Sequence, residues 1–304
     1  MRVSFKRILI ATDYSPAAGL ALNYACSIAN RFGAELHVLH VFEDPLPLAV
    51  PSFVADTKNV LEGLLANAST ALGEYSKSLP LEPTVQVIRT VRVGYASDEI
   101  HAYASEHGID LIVLGTQGRH GLSRFVMGSV AEKTVRLSTC PVLTTHCSKS
   151  RELGDAPPPV AIKTILVAMD FSPAADRARD LAVSLATHFG AEVHLLNIVV
   201  EPLPLPGPGG TWILPEDVTP TYVKEAMQKL ADNVAGIETT DGCPITRAVK
   251  VGYPIEAIER YAIGHHADLI VLGTQGHRGL SHLLLGSIAE KIVRMATCPV
   301  LTTH

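Results

Sequence analysis

The sequence contains one long motif twice, and this duplication limits the fold more than any other feature. Residues 115–146 read GTQGRHGLSRFVMGSVAEKTVRLSTCPVLTTH, and residues 273–304 read GTQGHRGLSHLLLGSIAEKIVRMATCPVLTTH, with 22 of 32 positions identical. An earlier block repeats as well, since KRILIATDYSP from position 6 returns as KTILVAMDFSP from position 163. A repeat of this kind indicates two copies of one structural unit.

The spacing between the copies predicts where the domains lie. The offset is 157 residues for the early blocks and 158 for the glycine-rich segments. With 304 residues, 47% of them hydrophobic, the chain can bury two cores of about 150 residues each. We expect domains at 1–146 and 162–304, joined by a linker at 147–161 whose charges and proline run suit a short, semi-rigid connection.

Each half alternates short β-branched runs with longer helical patterns, which predicts an α/β fold with a parallel sheet. The first half has five candidate strands, RILIAT, ELHVLHV, TVQVIRTVRV, DLIVLG and PVLTT. The first, second and fourth are largely apolar, as expected for strands covered by helices on both faces. The first helix is predicted to begin after Ser15, with Pro16 at its first position, and to end at Gly33.

Composition argues against several classes of protein. No apolar run approaches the roughly 18 residues of a membrane span, and the N-terminus lacks a signal-peptide layout, so we expect a cytoplasmic protein without a membrane partner. The 5 cysteines are scattered without CxxC pairs, which argues against a disulfide framework and a zinc site; Cys140 and Cys298 are expected to be small core residues. The net charge of −5 disfavours a nucleic-acid partner.

The glycine-rich loop is the candidate binding site. Gly115 ends a predicted strand, Gly118 follows, and Gly128 and Ser129 begin a helix, a G-x2-G-x9-G-S spacing. Glycines allow positive φ and close approach, so several N–H groups can face one ligand, and a helix N-terminus adds donors and partial positive charge. Positions 111–131 and 269–289 contain no acidic residue. We therefore expect an anion, with cations at Arg119, His120, Arg124, His277, Arg278 and His282.

A structural role for the same residues is the competing interpretation. Ser129 with Glu132, and Ser287 with Glu290, fit the S-x-x-E capping box at a helix start. A Walker A loop is excluded because Ser-Val follows Gly128, and a Rossmann loop is excluded because the first predicted strand is followed by no glycine run.

Asp13 and Asp170 directly follow the first predicted strand of each half. Since Ser15 is the better helix cap, Asp13 is expected to be available to another partner. It is either a ligand for ribose hydroxyls or a solvated loop acid.

These features together resemble the universal stress protein family in its tandem form. The resemblance rests on ILIATD and ILVAMD, the two glycine loops, the GSVAEK and GSIAEK helix starts and the TCPVL endings. It covers nearly all of both halves except the linker and the variable segments. It implies two tandem doubly wound domains, each with five parallel strands in the order 3-2-1-4-5 and helices on both faces. Strands 1 and 4 then meet at the topological switch point, where open α/β sheets bind ligands.

For the ATP-binding branch of the family, the resemblance implies a set of site residues in each half. In the first half it assigns Thr12 and Asp13 to the nucleoside pocket and Val41 to a backbone contact with adenine. The loop residues assigned to ribose and phosphates are Gly115, Gly118, Gly128, Ser129 and Val130, beside the cation Arg119. The second-half matches are Met169, Asp170, Ile198, Gly273, Gly276, Gly286, Ser287 and Ile288. Met169 replaces the small Thr12, which predicts a tighter second pocket at that point.

The implied function is a cytoplasmic stress-response protein that binds ATP, with Mg²⁺ accompanying the triphosphate, at one site per domain. Its output would be nucleotide-dependent regulation rather than fast catalysis, because the acid-free loop lacks an evident base. The alternative is a slow ATPase or nucleotide-transferring enzyme, for which His265 and His266 are the paired candidates. A nucleotide-free interaction protein is the weaker alternative. We also expect the two domains to pair through their final strands, with a homodimer as a further assembly.

Overall fold

A computed structural model shows that the chain forms two compact units, Ser4–Val160 and Met1–Val3 with Ala161–His304. The described residues are 3–42, 57–77, 79–116, 127–146, 160–201, 205–206, 212–213, 215–235, 237, 242–274 and 285–303. Most of the predicted linker 147–161 falls outside these ranges. The domain boundaries drawn from the sequence therefore stay a prediction.

The first unit is a doubly wound α/β domain. Its strands are all parallel and pair in the order β3-β2-β1-β4-β5. The elements are β1 Arg7–Ala11, α1 Pro16–Phe32, β2 Glu35–Phe42, α2 Thr57–Tyr75, β3 Val87–Val93, α3 Ala96–His107, β4 Leu111–Gly115, α4 Ser129–Leu137 and β5 Val142–Thr145.

The second unit repeats this architecture, and its parallel strands pair in the order β10-β7-β6-β11-β12. A two-residue antiparallel pair, β8 with β9, is inserted between β7 and α6. The elements are β6 Thr164–Ala168, α5 Pro173–Phe189, β7 Glu192–Val199, β8 Leu205–Pro206, β9 Trp212–Ile213, α6 Pro215–Val234, β10 Ile245–Val251, α7 Pro254–Gly264, β11 Leu269–Gly273, α8 Ser287–Met295 and β12 Val300–Thr303. Both units thus confirm the predicted fold class and strand order.

The central strands are buried over most of their length, which explains their largely apolar sequences. Ile8, Leu9 and Ile10 of β1 are all 0% exposed. Successive side chains of a strand point to opposite faces, so burial of three in a row requires cover on both sides of the sheet. Helices provide this cover, as expected for a parallel sheet.

The first helix of the first unit begins and ends where the sequence predicts. Ser15 is the N-cap of α1, and its side chain accepts a hydrogen bond from the Ala18 amide at 3.2 Å. Gly33 ends the helix with φ 62°, a left-handed conformation that glycine adopts without a steric penalty. Ser172 and Gly190 have the same roles in α5. These signals are local, so the sequence alone identifies both helix ends.

An aspartate fixes the amino end of each central strand pair. Asp110 Oδ2 accepts hydrogen bonds from the backbone amides of Lys6 at 2.8 Å and Arg7 at 2.9 Å. Asp268 Oδ2 repeats this arrangement with Lys163 and Thr164 at 2.7 and 3.0 Å. Each carboxylate holds the start of β1 or β6 beside β4 or β11, and so sets the register in which the opposite, carboxyl ends meet.

Candidate functional site

The crevice of the first domain lies at the carboxyl ends of β1 and β4. The last registered pair of these strands is Ile10 with Val113, and Thr12 and Gly115 each lie two residues further along. Thr12 is buried, and its amide donates to the Leu39 carbonyl at 2.9 Å. The first β-strand therefore delivers Thr12 and the following Asp13 directly to the switch point of the sheet.

Asp13 is held in place by a turn. Its Oδ1 atom accepts a hydrogen bond from the Ser15 amide at 3.0 Å, so the carboxylate is not as independent of the helix start as the sequence suggests. Tyr14, between them, has φ 63°, a left-handed conformation that costs a non-glycine residue about 1–3 kcal/mol.

The second domain contains the same turn. Asp170 Oδ1 accepts from Ser172 at 3.0 Å, and Phe171 has φ 63°. Asp170 is exposed, whereas Asp13 is half-buried. The strained aromatic residue thus follows the aspartate in both copies.

The glycine-rich segment is closed by one hydrogen bond at its base. The Gly128 amide donates to the Thr116 carbonyl at 2.7 Å, and the Thr116 amide donates to Thr145 of the last strand at 2.9 Å. Gly286 and Thr274 make the equivalent 2.7 Å bond. The closure brings the N-terminus of α4 or α8 back to the strand end. Residues 117–126 and 275–284 lie outside the described part of the chain, and with them Gly118, Arg119 and Gly276.

Gly115 is required by packing. A Cβ on this residue would lie 2.8 Å from the Ala17 Cβ and 2.7 Å from the Ala17 carbonyl carbon. A Cβ on Gly273 would lie 2.7 Å from the Ala174 Cβ. The first turns of α1 and α5 therefore need a glycine at the end of the neighbouring strand, whether or not a ligand binds there.

The capping-box interpretation of Ser129 is wrong. Gly128 is the N-cap of α4, Ser129 is the first helical residue and is exposed, and no side-chain cap bond is formed at this helix start. The start of α8 is the same, with Gly286 as N-cap and Ser287 exposed. The amides of a first helical turn have no partner within the helix. Among the described residues no side chain caps them, so these helix starts offer donors and partial positive charge at the carboxyl end of the sheet.

The second domain has a cleft next to the carboxyl end of β7. Its volume is about 380 Å³, and its lining residues are Phe171, Asn197, Ile198, Val199, Val200, Tyr222, Glu225, Ala226 and Lys229. Ile198 is the predicted adenine contact, but the sequence analysis missed the aromatic and α6 residues. The spacing of Tyr222, Ala226 and Lys229 places them on one helix face, a signal hidden by the divergence of this segment between the copies.

Met169 does not line this cleft. Its side chain is 3% exposed, its amide donates to Leu196 at 2.8 Å, and its carbonyl accepts from Asn197 Nδ2 at 2.7 Å. In the first domain His40 Nδ1 makes the corresponding 2.8 Å bond to the Thr12 carbonyl. The side chain of Met169 belongs to the core and is not among the residues that line the cleft. The expectation that Met169 makes the second pocket tighter therefore stays a prediction.

Val41 lies near the end of β2 and is half-buried, paired in register with Arg92. Val130 is half-buried in the first turn of α4, while Ile288, its counterpart in α8, is 41% exposed. The two copies therefore differ in how far this aliphatic residue extends into solvent.

His265 and His266 lie at the amino ends of the strands of the second sheet, opposite the crevice. His265 is the C-cap of α7, and its ring stacks on Tyr261 with 4.1 Å between centroids. Both histidines precede the amino end of β11, whereas the crevice is at the carboxyl end. This placement gives the pair a position at the end of α7, away from the candidate site.

Two searches of the described residues bear on cofactors and membranes. Within those ranges, no group of three or more His, Cys, Asp and Glu side chains is arranged to hold a metal ion. No helix in the same ranges combines the length and apolar character of a membrane span.

Two consecutive doubly wound domains, each with a closed glycine segment at its switch point, define a class of tandem α/β proteins. The sequence profile of the universal stress protein family matches residues 4–146 and 161–304. The chain therefore belongs to the universal stress protein family, as the motifs indicated.

Individual relatives agree with this assignment. A universal stress protein of Mycolicibacterium smegmatis is 25% identical over 302 residues, covering 98% of this chain and 96% of the relative. A universal stress protein of Mycobacterium tuberculosis is 29% identical over 198 residues, and the match spans only 62% of that protein's length and 64% of this chain. The crystal structure of a universal stress protein from Archaeoglobus fulgidus has the same fold, with a TM-score of 0.67 at 22% identity, covering 98% of this chain and 97% of that one.

Proposed function

We propose that this universal stress protein binds ATP at one site in each domain and acts as a nucleotide-dependent regulatory protein of the cytoplasmic stress response. One observation supports this most directly: in both domains a hydrogen bond ties the helix start to the end of β4 or β11, the strand that pairs with the one the aspartate follows. The donors and partial positive charge of the helix start suit phosphates. The aspartate turn suits ribose hydroxyls.

The chemistry of the crevice fits the nucleotide. The amides at Ser129 and Val130, with Gly118 and Arg119 of the loop, would hold the phosphates, and Asp13 would accept from the ribose. A helix end contributes about 0.3–2 kcal/mol toward an anion, whereas micromolar affinity needs about 8 kcal/mol. Several charge-assisted hydrogen bonds at about 1.5–3 kcal/mol each and burial of the base would supply the difference.

Magnesium enters this proposal only with the triphosphate. Mg²⁺ keeps several waters and is commonly bound through one or two carboxylates and substrate phosphates. Because the described residues form no metal-binding cluster, we assign no side chain to the ion, and phosphate oxygens would supply its ligands together with water.

Regulation through stability follows from the same geometry. A ligand that binds only the folded domain stabilises it by about 2.7 kcal/mol at a concentration one hundred times its Kd. Bound phosphates would also neutralise the positive helix end. An enzymatic reading gains no support from His265 and His266, which lie at the other edge of the sheet from the crevice.

The sequence also leads us to expect association between the two domains and between two chains. We propose that the two domains pair through their final strands, with a homodimer as a further association. Size-exclusion chromatography with light scattering, with and without ATP, tests the homodimer.

Mass spectrometry of the small molecules released on denaturing freshly purified protein tests the central claim. We expect an adenine nucleotide, and calorimetry of the nucleotide-stripped protein should show Mg-ATP binding that weakens in an Asp13→Ala, Asp170→Ala double variant. Steady formation of ADP from added ATP would favour the ATPase instead. Absence of both released nucleotide and calorimetric binding would favour a nucleotide-free interaction protein.

A further inference from the structure

The two domains differ at three aligned positions around the aromatic residue that follows the first-strand aspartate. Strand register fixes the alignment, because Leu36 pairs with Val87 just as Val193 pairs with Ile245. These pairs give offsets of 157 and 158 residues, and the second offset also superimposes the starts of α2 and α6. The aligned pairs are Tyr14 with Phe171, His40 with Asn197, and Tyr75 with Asn233.

In the first domain these positions form a cluster of three rings. The Tyr14 ring lies 4.6 Å from His40 and 5.1 Å from Tyr75, the second contact being edge to face. The Tyr75 hydroxyl is buried, and its oxygen comes within 3.9 Å of a Cβ placed on Gly19 of α1. Tyr75 therefore reaches from the end of α2 across to α1, and its ring occupies one side of Tyr14.

In the second domain two of the three rings are replaced by the shorter side chains of Asn197 and Asn233. The side-chain amide of Asn197 donates a hydrogen bond to the Met169 carbonyl at 2.7 Å. Asn233 donates to Asp176 Oδ1 of α5 at 2.8 Å, and Arg179 Nη1 donates to the Asn233 carbonyl at 3.2 Å. Hydrogen bonds to α5 thus replace the packed ring. Phe171 and Asn197 line the cleft of about 380 Å³.

The cleft also has a cation at Lys229. Lys229 Nζ lies 5.7 Å from the centroid of the Phe171 ring, within the range of a cation–π contact. The aligned residue in α2 is Ala71, and both positions are exposed. A volume of about 380 Å³ lies within the range of about 300–1,000 Å³ of small-molecule sites. An aromatic wall with a cation beside it suits a planar base attached to phosphates.

We infer that the second domain holds the stronger nucleoside-binding cleft, with Phe171 as its stacking surface and Lys229 as its cation, while in the first domain the Tyr14 ring is packed against His40 and Tyr75. The inference rests on the proposed adenine-nucleotide function and adds an order of occupancy to it. The second site fills first, and the first site binds more weakly because its Tyr14 ring is already packed against His40 and Tyr75.

Photolabelling of the nucleotide-stripped protein with 8-azido-ATP and 8-azidoadenosine, followed by peptide mapping, tests this inference. Azidoadenosine reports the base cleft without the phosphate loop. We expect label on second-domain peptides to exceed label on first-domain peptides by about tenfold at sub-saturating probe, equivalent to about 1.4 kcal/mol. Tyr75→Ala should raise first-domain labelling, whereas Tyr75→Phe keeps the ring and should not.

A reciprocal pair of surface variants keeps the test independent of core packing. Lys229→Ala makes the second cleft resemble the first and should weaken the tighter site several-fold by calorimetry with ATP. Ala71→Lys makes the first resemble the second and should strengthen the weaker site. Circular dichroism melting of Tyr75→Ala shows whether that domain is still folded.

The outcomes separate the two proposals. Equal labelling of both domains, with two calorimetric sites of equal affinity, would contradict the inference that the second cleft binds more tightly. It would leave the proposal of nucleotide binding intact. Stronger labelling of the first domain would contradict the inference as well. No labelling and no calorimetric heat would sink the proposed function and the inference together.

Discussion

Gly115 and Ala17 are packed so closely that a methyl group on the glycine would lie 2.8 Å from the Ala17 Cβ. Real Cβ contacts of this length do not persist, so the end of β4 and the first turn of α1 depend on each other. Gly273 and Ala174 repeat the relationship at 2.7 Å.

Gly115→Ala should therefore destabilise the first domain. Overpacking of a close contact typically costs about 1–3 kcal/mol, here because the backbone of Ala17 has to move. Urea unfolding followed by circular dichroism would measure the loss in free energy of unfolding.

Gly73→Ala is the matched control for that substitution. A Cβ at Gly73 in α2 meets nothing within 4 Å, and alanine in a helix is favoured over glycine by about 0.5–1 kcal/mol. We expect the control to be neutral or stabilising. Equal destabilisation by both variants would contradict the packing argument.

Ser129→Ala should leave stability nearly unchanged, while Ser15→Ala should cost about 1 kcal/mol. Ser15 is a true N-cap that accepts from Ala18 at 3.2 Å, and such caps are worth about 0.5–2 kcal/mol. Ser129 is exposed and makes no cap bond. Thermal melts of the two variants compare them directly, and a loss of about 1 kcal/mol in Ser129→Ala would restore the capping-box interpretation.

The first domain should lose stability as the pH falls below about 6.5. Burial lowers the pKa of His37, although the Glu35 carboxylate raises it in part. Burial also lowers the pKa of His101. The unfolded chain has histidines with a pKa of about 6.5 and so binds more protons than the folded chain below that pH, and stability decreases. The contribution is fully present above about pH 6.5.

Denaturant titrations at about pH 7.5, 6.5 and 5.5, on both sides of the ordinary histidine pKa, would measure how the free energy of unfolding changes with pH. His37→Gln should reduce the slope, and addition of His101→Gln should reduce it further. An unchanged slope in the double variant would show that other groups dominate the acid response.

Cys26 and Cys298 should resist thiol reagents until the protein unfolds. Burial raises the pKa of both thiols to about 12, so the reactive thiolate is on the order of one part in ten thousand at pH 8. Alkylation with iodoacetamide and peptide mapping would measure the rate at each cysteine, with urea-unfolded protein as the reference. Modification of Cys26 within minutes in native protein would contradict the prediction.

Local signals explain which parts of the fold the sequence predicts well. Ser15, Pro16 and Gly33 act on neighbouring backbone, so the bounds of α1 follow from the residues themselves. The strand order required more, namely the family resemblance, because pairing between distant strands leaves no local pattern.

The site was less accessible to sequence reasoning, because its decisive contacts are between distant residues. The need for Gly115 comes from Ala17, 98 positions earlier in the numbering. Gly128 is the N-cap in place of Ser129, since the loop-closing bond to Thr116 determines where the helix begins. Phe171 lines the cleft because α6 packs against β7, and no local sequence pattern predicts that packing.

The hydrogen bond from the Gly128 amide to the Thr116 carbonyl joins the two ends of the segment between these residues, so the positions of β4 and α4 do not depend on the sequence of that segment. Since both ends of that stretch are tied to the sheet and to α4, its residues can be replaced as a cassette without redesigning strands or helices. The duplicated chain contains two such segments, each closed by its own hydrogen bond from a glycine amide to a threonine carbonyl.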